Sequence, residues 1–318
     1  MIFMKQRITI LGGGNGGSIS IRALKNHLDK FSISAIIAMS DSGSSSGKLR
    51  KELGVLPPGD ILRAVLAMSR YDYELMKRIF YDTRYSEHGK LQGFGIGHLF
   101  IGLAEKYNGG IVDAIRALAQ AVDVVAPVFP VTTESADLCV ELTNGDIVIG
   151  EHEIDRPVYS RKHRIRRAWL QPTPMVYDRA REEILQADAL IIGPGSFYTS
   201  IIATLLPEGV KDAIRESAAK LIFVANKVID VEGETGPEKL SEFVFELEQY
   251  LPRPVDVILY DEALLGEKQL KQCREKGWKE VVADLDKLKD RTVVTFTNRG
   301  EETSIDPVVL GEVISTLL

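Results

Sequence analysis

Residues 8–18 read ITILGGGNGGS: an apolar run of β-prone residues, a cluster of glycines, and residues that can start a helix. A strand, a tight turn and a helix N-terminus form an anion-binding corner, because free backbone N–H groups and aligned peptide dipoles favour a phosphate. Gly12, Gly14 and Gly17 match G-x-G-x-x-G, and Asp41 lies where a dinucleotide-binding fold places its ribose-binding acid. This first glycine corner (residues 12–17) predicts an α/β fold with a nucleotide-like ligand.

The composition is that of an ordinary globular protein: 318 residues, 45% hydrophobic and 26% charged. We predict a single domain over residues 1–318. A net charge of -6 without a basic tail argues against nucleic acid as a partner. Cys139 and Cys273 form no CxxC pattern, which argues against a disulfide framework and a zinc site. No apolar run is long enough to cross a membrane, and residues 1–7 show no signal-peptide pattern, so we expect a cytoplasmic protein.

Apolar runs without polar alternation recur along the chain and predict buried strands. They cover residues 8–11, 33–39, 123–128, 189–193, 220–226, 255–260 and 292–296. Helical periodicity occupies residues 19–28, 60–69, 111–122 and 241–251. Buried strands that alternate with helices indicate a Rossmann-like parallel sheet with helices on both faces. Right-handed crossovers then place every strand-to-helix loop at one edge of the sheet, at the carboxyl ends of the strands.

A β-hairpin excursion from this sheet is predicted around residues 137–170. Two alternating runs, DLCVEL and DIVIGE, flank Asn144-Gly145, and RIRRAWL follows. Asn-Gly between alternating runs is a strong hairpin signal. The segment 151–153 (Glu-His-Glu) would then alternate along a strand and share no face, which argues against a metal site there.

A basic cluster follows in the same segment: Arg161, Lys162, Arg164, Arg166 and Arg167. We interpret it as the solvated edge of the hairpin, because basic side chains commonly protect such edges. An oligomer contact or an acidic ligand is the alternative, and a homodimer therefore stays open.

A second loop, SDSGSSSGKLRKELG (residues 40–54, the serine loop), follows the second predicted strand. Its small residues permit close approach of a ligand, and its basic residues supply positive charge. It is not a Walker A loop, because Gly43 and Gly47 enclose three residues and Leu49 follows Lys48. A flexible surface loop is the alternative interpretation.

Three further segments are expected at the same edge of the sheet. In GVLPPGDILRA (54–64), Asp60 is a predicted helix N-cap and Arg63 follows one turn later. Residues 128–138 place Thr132, Thr133 and Glu134 after a strand. The stretch ALIIGPGSFYTSI (189–201) repeats the opening pattern, and we call its residues 193–196 the second glycine corner. Two such corners in one sheet suit a ligand with phosphates and a second polar part.

Six segments in this order resemble the CofD-like superfamily, and in particular its bacterial gluconeogenesis factor (YvcK-like) branch. They are ILGGGNGGS, SDSGSSSGKLR, GVLPPGDI, PVTTE, GPGSFYTSI and NKVIDVEGET, spread over about residues 7–260. The resemblance implies a Rossmann-like fold with a nucleotide-type ligand across the strand ends. It also implies UDP-sugar binding, notably of UDP-N-acetylglucosamine, and a role in cell-shape maintenance on gluconeogenic carbon sources.

A related branch of the superfamily, the 2-phospho-L-lactate transferases, moves a phospho-lactyl-type group from a guanosine diphosphate donor to a deazaflavin with magnesium. Several family positions differ in this chain. Ser42 follows Asp41 where a second aspartate is usual, which weakens a two-carboxylate magnesium site. Phe94 and His98 replace a histidine and an asparagine of a GHxxGN segment, and Ala203 and Thr204 stand where proline and asparagine are common.

We therefore predict a nucleotide-sugar-binding protein with a regulatory role in carbon metabolism and the cell envelope. The alternatives are a phospho-lactyl-type transferase and an NAD-dependent oxidoreductase. No catalytic residue is identified beyond the candidate Asp41, which would also be the metal ligand if Mg²⁺ is used; no other cofactor is indicated. The candidate ligand-binding residues are Gly12, Gly13, Gly14, Asn15, Gly16, Gly17, Ser18, Asp41, Ser44, Ser45, Ser46, Gly47, Lys48, Arg50, Gly59, Asp60, Arg63, Thr132, Thr133, Gly193, Gly195, Ser196, Tyr198, Thr199, Ser200 and Asn226.

Overall fold

Seven parallel strands form the central sheet of the computed structural model, which describes residues 5–86, 91–300 and 302–318 except for the side chains of Ser44 and Asn108. The strands of the chain are β1 Gln6–Gly12, β2 Phe31–Ile37, β3 Val128–Pro130, β4 Asp137–Leu142, β5 Ile147–Ile149, β6 Ile165–Gln171, β7 Ala189–Ile192, β8 Lys220–Val224, β9 Val228–Asp230, β10 Val257–Asp261, β11 Trp278–Glu280 and β12 Val293–Phe296.

The α-helices surround this sheet. They are α1 Gly14–Lys25, α2 Ser44–Leu53, α3 Gly59–Met68, α4 Tyr73–Lys77, α5 Ile96–Asn108, α6 Ile111–Ala121, α7 Glu151–Asp155, α8 Asp178–Leu185, α9 Ala203–Leu205, α10 Val210–Glu216, α11 Leu240–Tyr250, α12 Glu267–Lys276 and α13 Pro307–Leu317. Arg78–Asp82 and Phe197–Ile202 are π-helical, and Leu285–Leu288 is a 3₁₀ turn. The described residues contain no helix that is both long and apolar enough to cross a membrane.

The central sheet has the order β12-β10-β8-β7-β1-β2-β3, with all neighbours parallel. This is the strand order of a dinucleotide-binding fold with one strand added at the far edge. The chain winds outward in one direction from β1 through β2 and β3, and then in the other direction from β7. The predicted Rossmann-like parallel sheet is confirmed, and its topological switch point lies between β1 and β7.

The hairpin excursion is also confirmed, as an antiparallel sheet with the order β5-β4-β6. The prediction of a strand through residues 151–153 is wrong, because β5 ends at Ile149 and Gly150 adopts φ 106°. That left-handed backbone turns the chain away from β4 and into α7. A separate two-stranded ribbon pairs β11 with β9.

Two further sequence predictions are wrong in detail. Residues 123–127 do not form a strand: Asp123 adopts φ 48°, and the Val124 N–H donates to Ala119 O at the end of α6, so the edge strand begins only at Val128. Asp60 is not a helix N-cap, because α3 begins at Gly59 with Pro58 in the cap position. The side chain of Asp60 is therefore free to face the carboxyl edge of the sheet.

Candidate functional site

A cavity of about 1010 Å³ lies at the carboxyl ends of β1 and β7, beside the switch point of the sheet. In open α/β sheets this crevice is the usual place for a ligand. Both glycine corners and the serine loop contribute to its wall, through Gly14, Asn15, Gly16, Asp41, Gly43, Ser45, Ser46, Gly195 and Ser196. The three loops therefore meet at one edge of the sheet, as the sequence predicts.

The two glycine corners touch each other. A Cβ atom on Gly16 would lie 2.1 Å from the carbonyl oxygen of Pro194, so the close approach of the two backbones requires glycine at this position. Gly14, the first residue of α1, adopts φ 59°, and Gly13 before it is extended. The two corners thus lie side by side in the lining of the cavity.

Both corners are already in contact with carboxylates of the chain itself. At the first corner, the N–H of Gly14 hydrogen-bonds to Asp60 and partly offsets the rise in the pKa of that carboxyl group. At the second corner, Glu234 accepts hydrogen bonds from the N–H groups of Tyr198 and Thr199, at 3.1 and 2.8 Å, and from the Thr199 hydroxyl at 2.7 Å. Glu234 therefore occupies the helix start at which a phosphate would otherwise bind.

Asn226 fixes the second corner from the opposite side. Its Oδ1 accepts from the N–H of Gly195 at 3.0 Å, and its Nδ2 donates to the carbonyl oxygen of the same residue at 2.7 Å. The Tyr198 hydroxyl donates to Glu246 and does not line the cavity. The backbone of this corner is held rigidly by side chains from β8 onwards.

Three carboxyl groups, those of Asp41, Asp60 and Glu151, converge near the start of α2. The N–H of Gly43 donates to Asp41 at 2.9 Å, and the N–H of Ser42 donates to Glu151 at 3.1 Å. Burial, followed by the charge of Asp41, raises the pKa of Asp60 to about 7 and that of Glu151 to about 9. At neutral pH this group therefore carries less negative charge than three carboxylates would.

These carboxyl groups do not by themselves form a magnesium site. Among the described residues, no group of three or more His, Cys, Asp and Glu side chains is arranged to hold a metal ion. Magnesium in proteins needs near-octahedral oxygen coordination, to which ligand phosphates often contribute. The residues that the structure describes do not offer that coordination by themselves.

Positive charge enters the cavity from Arg63 and Arg84. The Arg63 guanidinium stacks over the ring of Tyr81, 4.2 Å from its centroid, and donates to the Tyr81 hydroxyl. Arg84 lies 5.4 Å from the same centroid and donates to the Ser45 hydroxyl on α2. His98 packs against Tyr81 with 4.9 Å between ring centroids, and its pKa is lowered to about 3 by burial and by the two guanidiniums. The imidazole is therefore neutral at physiological pH.

The basic cluster of the hairpin divides into two groups. Arg166 and Arg167 pair with Glu141 on β4 at an exposed edge, which agrees with their interpretation as an edge. Arg161, Lys162 and Arg164 instead line the cavity. Their spacing in the sequence gave no indication of this difference.

The candidate ligand-binding residues that line the cavity are Gly14, Asn15, Gly16, Asp41, Ser45, Ser46, Asp60, Arg63, Gly195, Ser196, Thr199, Ser200 and Asn226. Those that do not line it are Gly12, Gly13, Gly17, Ser18, Gly47, Lys48, Arg50, Gly59, Thr132, Thr133, Gly193 and Tyr198. Ser44 belongs to α2, but its side chain lies outside the described part of the structure. Arg50 pairs with Asp137 at 2.9 Å, and Lys48 is exposed.

The positions that differ from the family pattern have structural roles here. Ser42 Oγ accepts from the N–H of His152 and joins the serine loop to α7. Phe94 packs in a small buried cluster with Leu49 and Val55. Thr204 donates to the carbonyl oxygens of Ser200 and Gly12, which ties the second corner to the end of β1.

Sequence reasoning missed Tyr81, Arg84 and Glu234, and it considered Glu151 only as part of a metal site, against which it argued. Tyr81, Arg84 and Glu234 do not follow a strand of the central sheet or belong to a glycine pattern, so no local signal identified them. Glu234 lies within the NKVIDVEGET segment that carries the family resemblance, which is the one signal that could have suggested it.

A family model described as "2-phospho-L-lactate transferase CofD" matches residues 8–299. The chain belongs to the CofD family. Within this family it is 32% identical over 297 residues to the gluconeogenesis factor of Halalkalibacterium halodurans, which covers 92% of this chain and 89% of that protein. The gluconeogenesis factor of Bacillus subtilis is 32% identical over 291 residues, covering 90% and 88%.

Solved structures share the fold of this chain. A crystal structure of protein BH3568 from Bacillus halodurans matches with a TM-score of 0.88 and 28% identity, over 98% of this chain and 100% of that one. A second crystal structure of the same protein, described as a member of the UPF0052 family, gives a TM-score of 0.89. The resemblance read from the sequence is confirmed.

Proposed function

We propose that this member of the CofD family binds a nucleotide sugar of the UDP-N-acetylglucosamine type in the cavity. In this proposal it acts as a regulator of carbon metabolism and of cell-shape and cell-envelope maintenance. The observation that carries the proposal is the convergence of both glycine corners and the serine loop on one polar cavity at the switch point. The gluconeogenesis factor names of its relatives support the metabolic role.

The geometry supports a ligand with a charged part and a neutral polar part. Arg63 and Arg84 supply positive charge for phosphates, whereas Asp41, Asn15 and Ser196 offer hydrogen-bonding groups suited to hydroxyls. Asp41 keeps one oxygen on the N–H of Gly43, so its other oxygen can accept from a ribose or sugar hydroxyl.

A phospho-lactyl-type transferase is the second candidate. It is supported by the description of the matching family model and by the carboxyl groups of Asp41, Asp60 and Glu151 in the same cavity. Transfer in the related branch uses magnesium, and within the described part of the chain no group of three or more His, Cys, Asp and Glu side chains could hold a metal ion. Binding of a nucleotide sugar needs no such ion.

A ligand panel tests the proposal. Thermal unfolding and calorimetric titration are measured with UDP-N-acetylglucosamine, UDP, GDP, NAD and a deazaflavin, each with and without magnesium. We expect UDP-N-acetylglucosamine to raise the unfolding temperature without magnesium, because a ligand at about 100 times its Kd stabilises the fold by about 2.7 kcal/mol. The absence of any nucleotide effect would contradict the proposal.

The variant Asp41→Asn separates the candidates. If Asp41 binds a hydroxyl, the amide retains an acceptor and we expect affinity to fall by only about three- to tenfold, about 1 kcal/mol, with or without magnesium. Asp290→Asn, an exposed residue outside the cavity, serves as the matched control. A strict magnesium requirement that Asp41→Asn abolishes would favour the transferase, and a shift in preference between NAD and NADP would favour the oxidoreductase.

A further inference from the structure

We infer that Arg63, Arg84, His98 and the N-terminus of α2 form a phosphoryl-binding site, separate from both glycine corners. This inference rests on the proposed function in that the phosphoryl group is taken to belong to the nucleotide ligand of the same cavity. The chemistry would also suit free inorganic phosphate, and the experiment below distinguishes the two sources.

The glycine corners are poor places for the phosphoryl group. Asp60 lies against the N–H of Gly14 at the first corner, and Glu234 takes the N–H groups of Tyr198 and Thr199 at the second. A phosphate at either helix start would have to displace a carboxylate of the chain or share its donors. Another donor set in the cavity is therefore favoured.

The start of α2 offers such a donor set, because the nearby carboxyl groups of Asp41 and Glu151 accept from the N–H groups of Gly43 and Ser42, which precede the helix. This helix has ten residues and no side-chain cap, and its first intrahelical acceptor, Gly43 O, is bonded by the N–H of Gly47. The N–H groups of residues 44–46 therefore have no intrahelical acceptor. Ser45 and Ser46 of this turn line the cavity. The donors are of the kind that bind phosphate at helix starts.

Two guanidiniums lie beside this turn and share a single aromatic ring. Arg84 donates to Ser45 Oγ and to Gly93 O, and Arg63 stacks on Tyr81 from 4.2 Å. Within the described residues, no carboxylate lies within 4.0 Å of Arg84, and Arg63 has only Asp60 at 4.0 Å. Two positive charges that lie close together and are not fully neutralised create a positive potential that favours binding of an anion.

Unused polar atoms point to the same place. His98 is 2% exposed and lines the cavity, yet its Nδ1 has no hydrogen-bond partner among the described residues. The Nε of Arg63 is also buried without a partner. Buried polar atoms are almost always hydrogen-bonded, so these two unpaired atoms show that the polar network around Arg63 and Arg84 is incomplete.

The decisive variant is Arg84→Gln, which keeps a donor for Ser45 and removes the positive charge. Inorganic phosphate, UDP and uridine are titrated into the wild type, Arg84→Gln, Arg63→Gln and Arg116→Gln, with circular dichroism to verify folding. Arg116 is an exposed arginine on α6 outside the cavity and is the matched control. Two separate site variants keep the test valid if one of them does not fold.

We expect phosphate to stabilise the folded state of the wild type and of Arg116→Gln. It should not stabilise Arg84→Gln or Arg63→Gln. UDP affinity should fall roughly ten- to hundredfold in both site variants, because a charge-assisted hydrogen bond is lost, while any uridine affinity stays unchanged. Equal phosphate binding by all four proteins, or none by the wild type, overturns the inference.

Competition separates the two sources of the phosphoryl group. If saturating UDP abolishes phosphate binding, the site holds the distal phosphoryl group of the nucleotide. If phosphate still binds, the site serves free phosphate. If phosphate binds in an Arg84-dependent manner and no nucleotide binds at all, the proposed function fails and the phosphoryl site stands.

Discussion

At the scale of single residues, Glu151 is held in a state that costs stability. Burial and the neighbouring charge of Asp41 raise its pKa from 4.5 to about 9, so the carboxyl group is protonated in the folded protein at neutral pH. In the unfolded chain the group ionises at its ordinary pKa. Its contribution to stability is therefore fully present below about pH 4.5 and is lost as the pH rises towards 9. Asp60 behaves in the same way between about pH 4 and 7.

We therefore expect Glu151→Gln to stabilise the protein increasingly as pH rises. Glutamine retains an oxygen for the N–H of Ser42 and cannot ionise. The gain in the free energy of unfolding should be near zero at about pH 4.5 and on the order of 1–3 kcal/mol at about pH 8.5. Urea unfolding over this pH range measures it. Glu153→Gln, an exposed neighbour on α7, is the control, and a gain independent of pH would contradict the expectation.

The residues of the site were only partly predictable from sequence. Gly14, Gly16, Asp41 and Gly195 follow strands whose apolar runs are recognisable, so their place at the sheet edge could be deduced. Arg84 reaches the cavity from a position just after the π-helical segment Arg78–Asp82, where the sequence shows no helical or strand periodicity. Side chains placed by tertiary packing alone leave no local pattern in the sequence.

At the scale of elements, the strands were predictable because a buried parallel strand is a continuous apolar run. The runs at 189–193 and 220–226 became β7 and β8 within two residues. The errors at 123–127 and 151–153 have a shared cause: a left-handed residue, Asp123 or Gly150, redirects the backbone against the propensity of its neighbours.

The adjacent glycines Gly16 and Gly17 of α1 allow a test of the contact between the two glycine corners. A Cβ on Gly16 would meet the backbone of Pro194 at 2.1 Å, whereas on Gly17 the nearest atom is 3.7 Å away. We expect Gly16→Ala to destabilise the fold by about 2 kcal/mol or more and to abolish ligand binding. Gly17→Ala should be neutral or stabilising by up to about 1 kcal/mol, because alanine favours helix.

Chemical denaturation and nucleotide titration of both glycine variants measure these effects. Similar stability and affinity for Gly16→Ala and the wild type would mean that the two corners are not in the described contact.

At the scale of the whole molecule, one face of α5 is apolar and exposed. Ile96, Phe100, Leu103 and Tyr107 follow each other at helical spacing, and Tyr107 is 72% exposed. A stripe of this kind on a helix that also carries His98 is unusual for a surface that faces only water. In the homodimer that the sequence analysis left open, a two-fold interface would bury this stripe against the same stripe of a second copy.

We expect Leu103→Glu to shift the protein towards the monomer if this homodimer forms through α5. Leu264→Glu, at a more exposed leucine away from that helix, should leave the oligomeric state unchanged. Sedimentation velocity over a range of concentrations measures both. Identical behaviour of the wild type and Leu103→Glu, with the wild type dimeric, would exclude α5 as the interface.

The pairing of β1 with β7 also has a consequence for biosynthesis. Ile8 lies beside Ala189, so during synthesis β1 keeps one edge unpaired until β7 has been made. A nascent chain of this length exposes an apolar sheet edge, which is a site for aggregation and for chaperone binding. The second glycine corner follows β7 directly, so the cavity that both corners line cannot form before that point in synthesis.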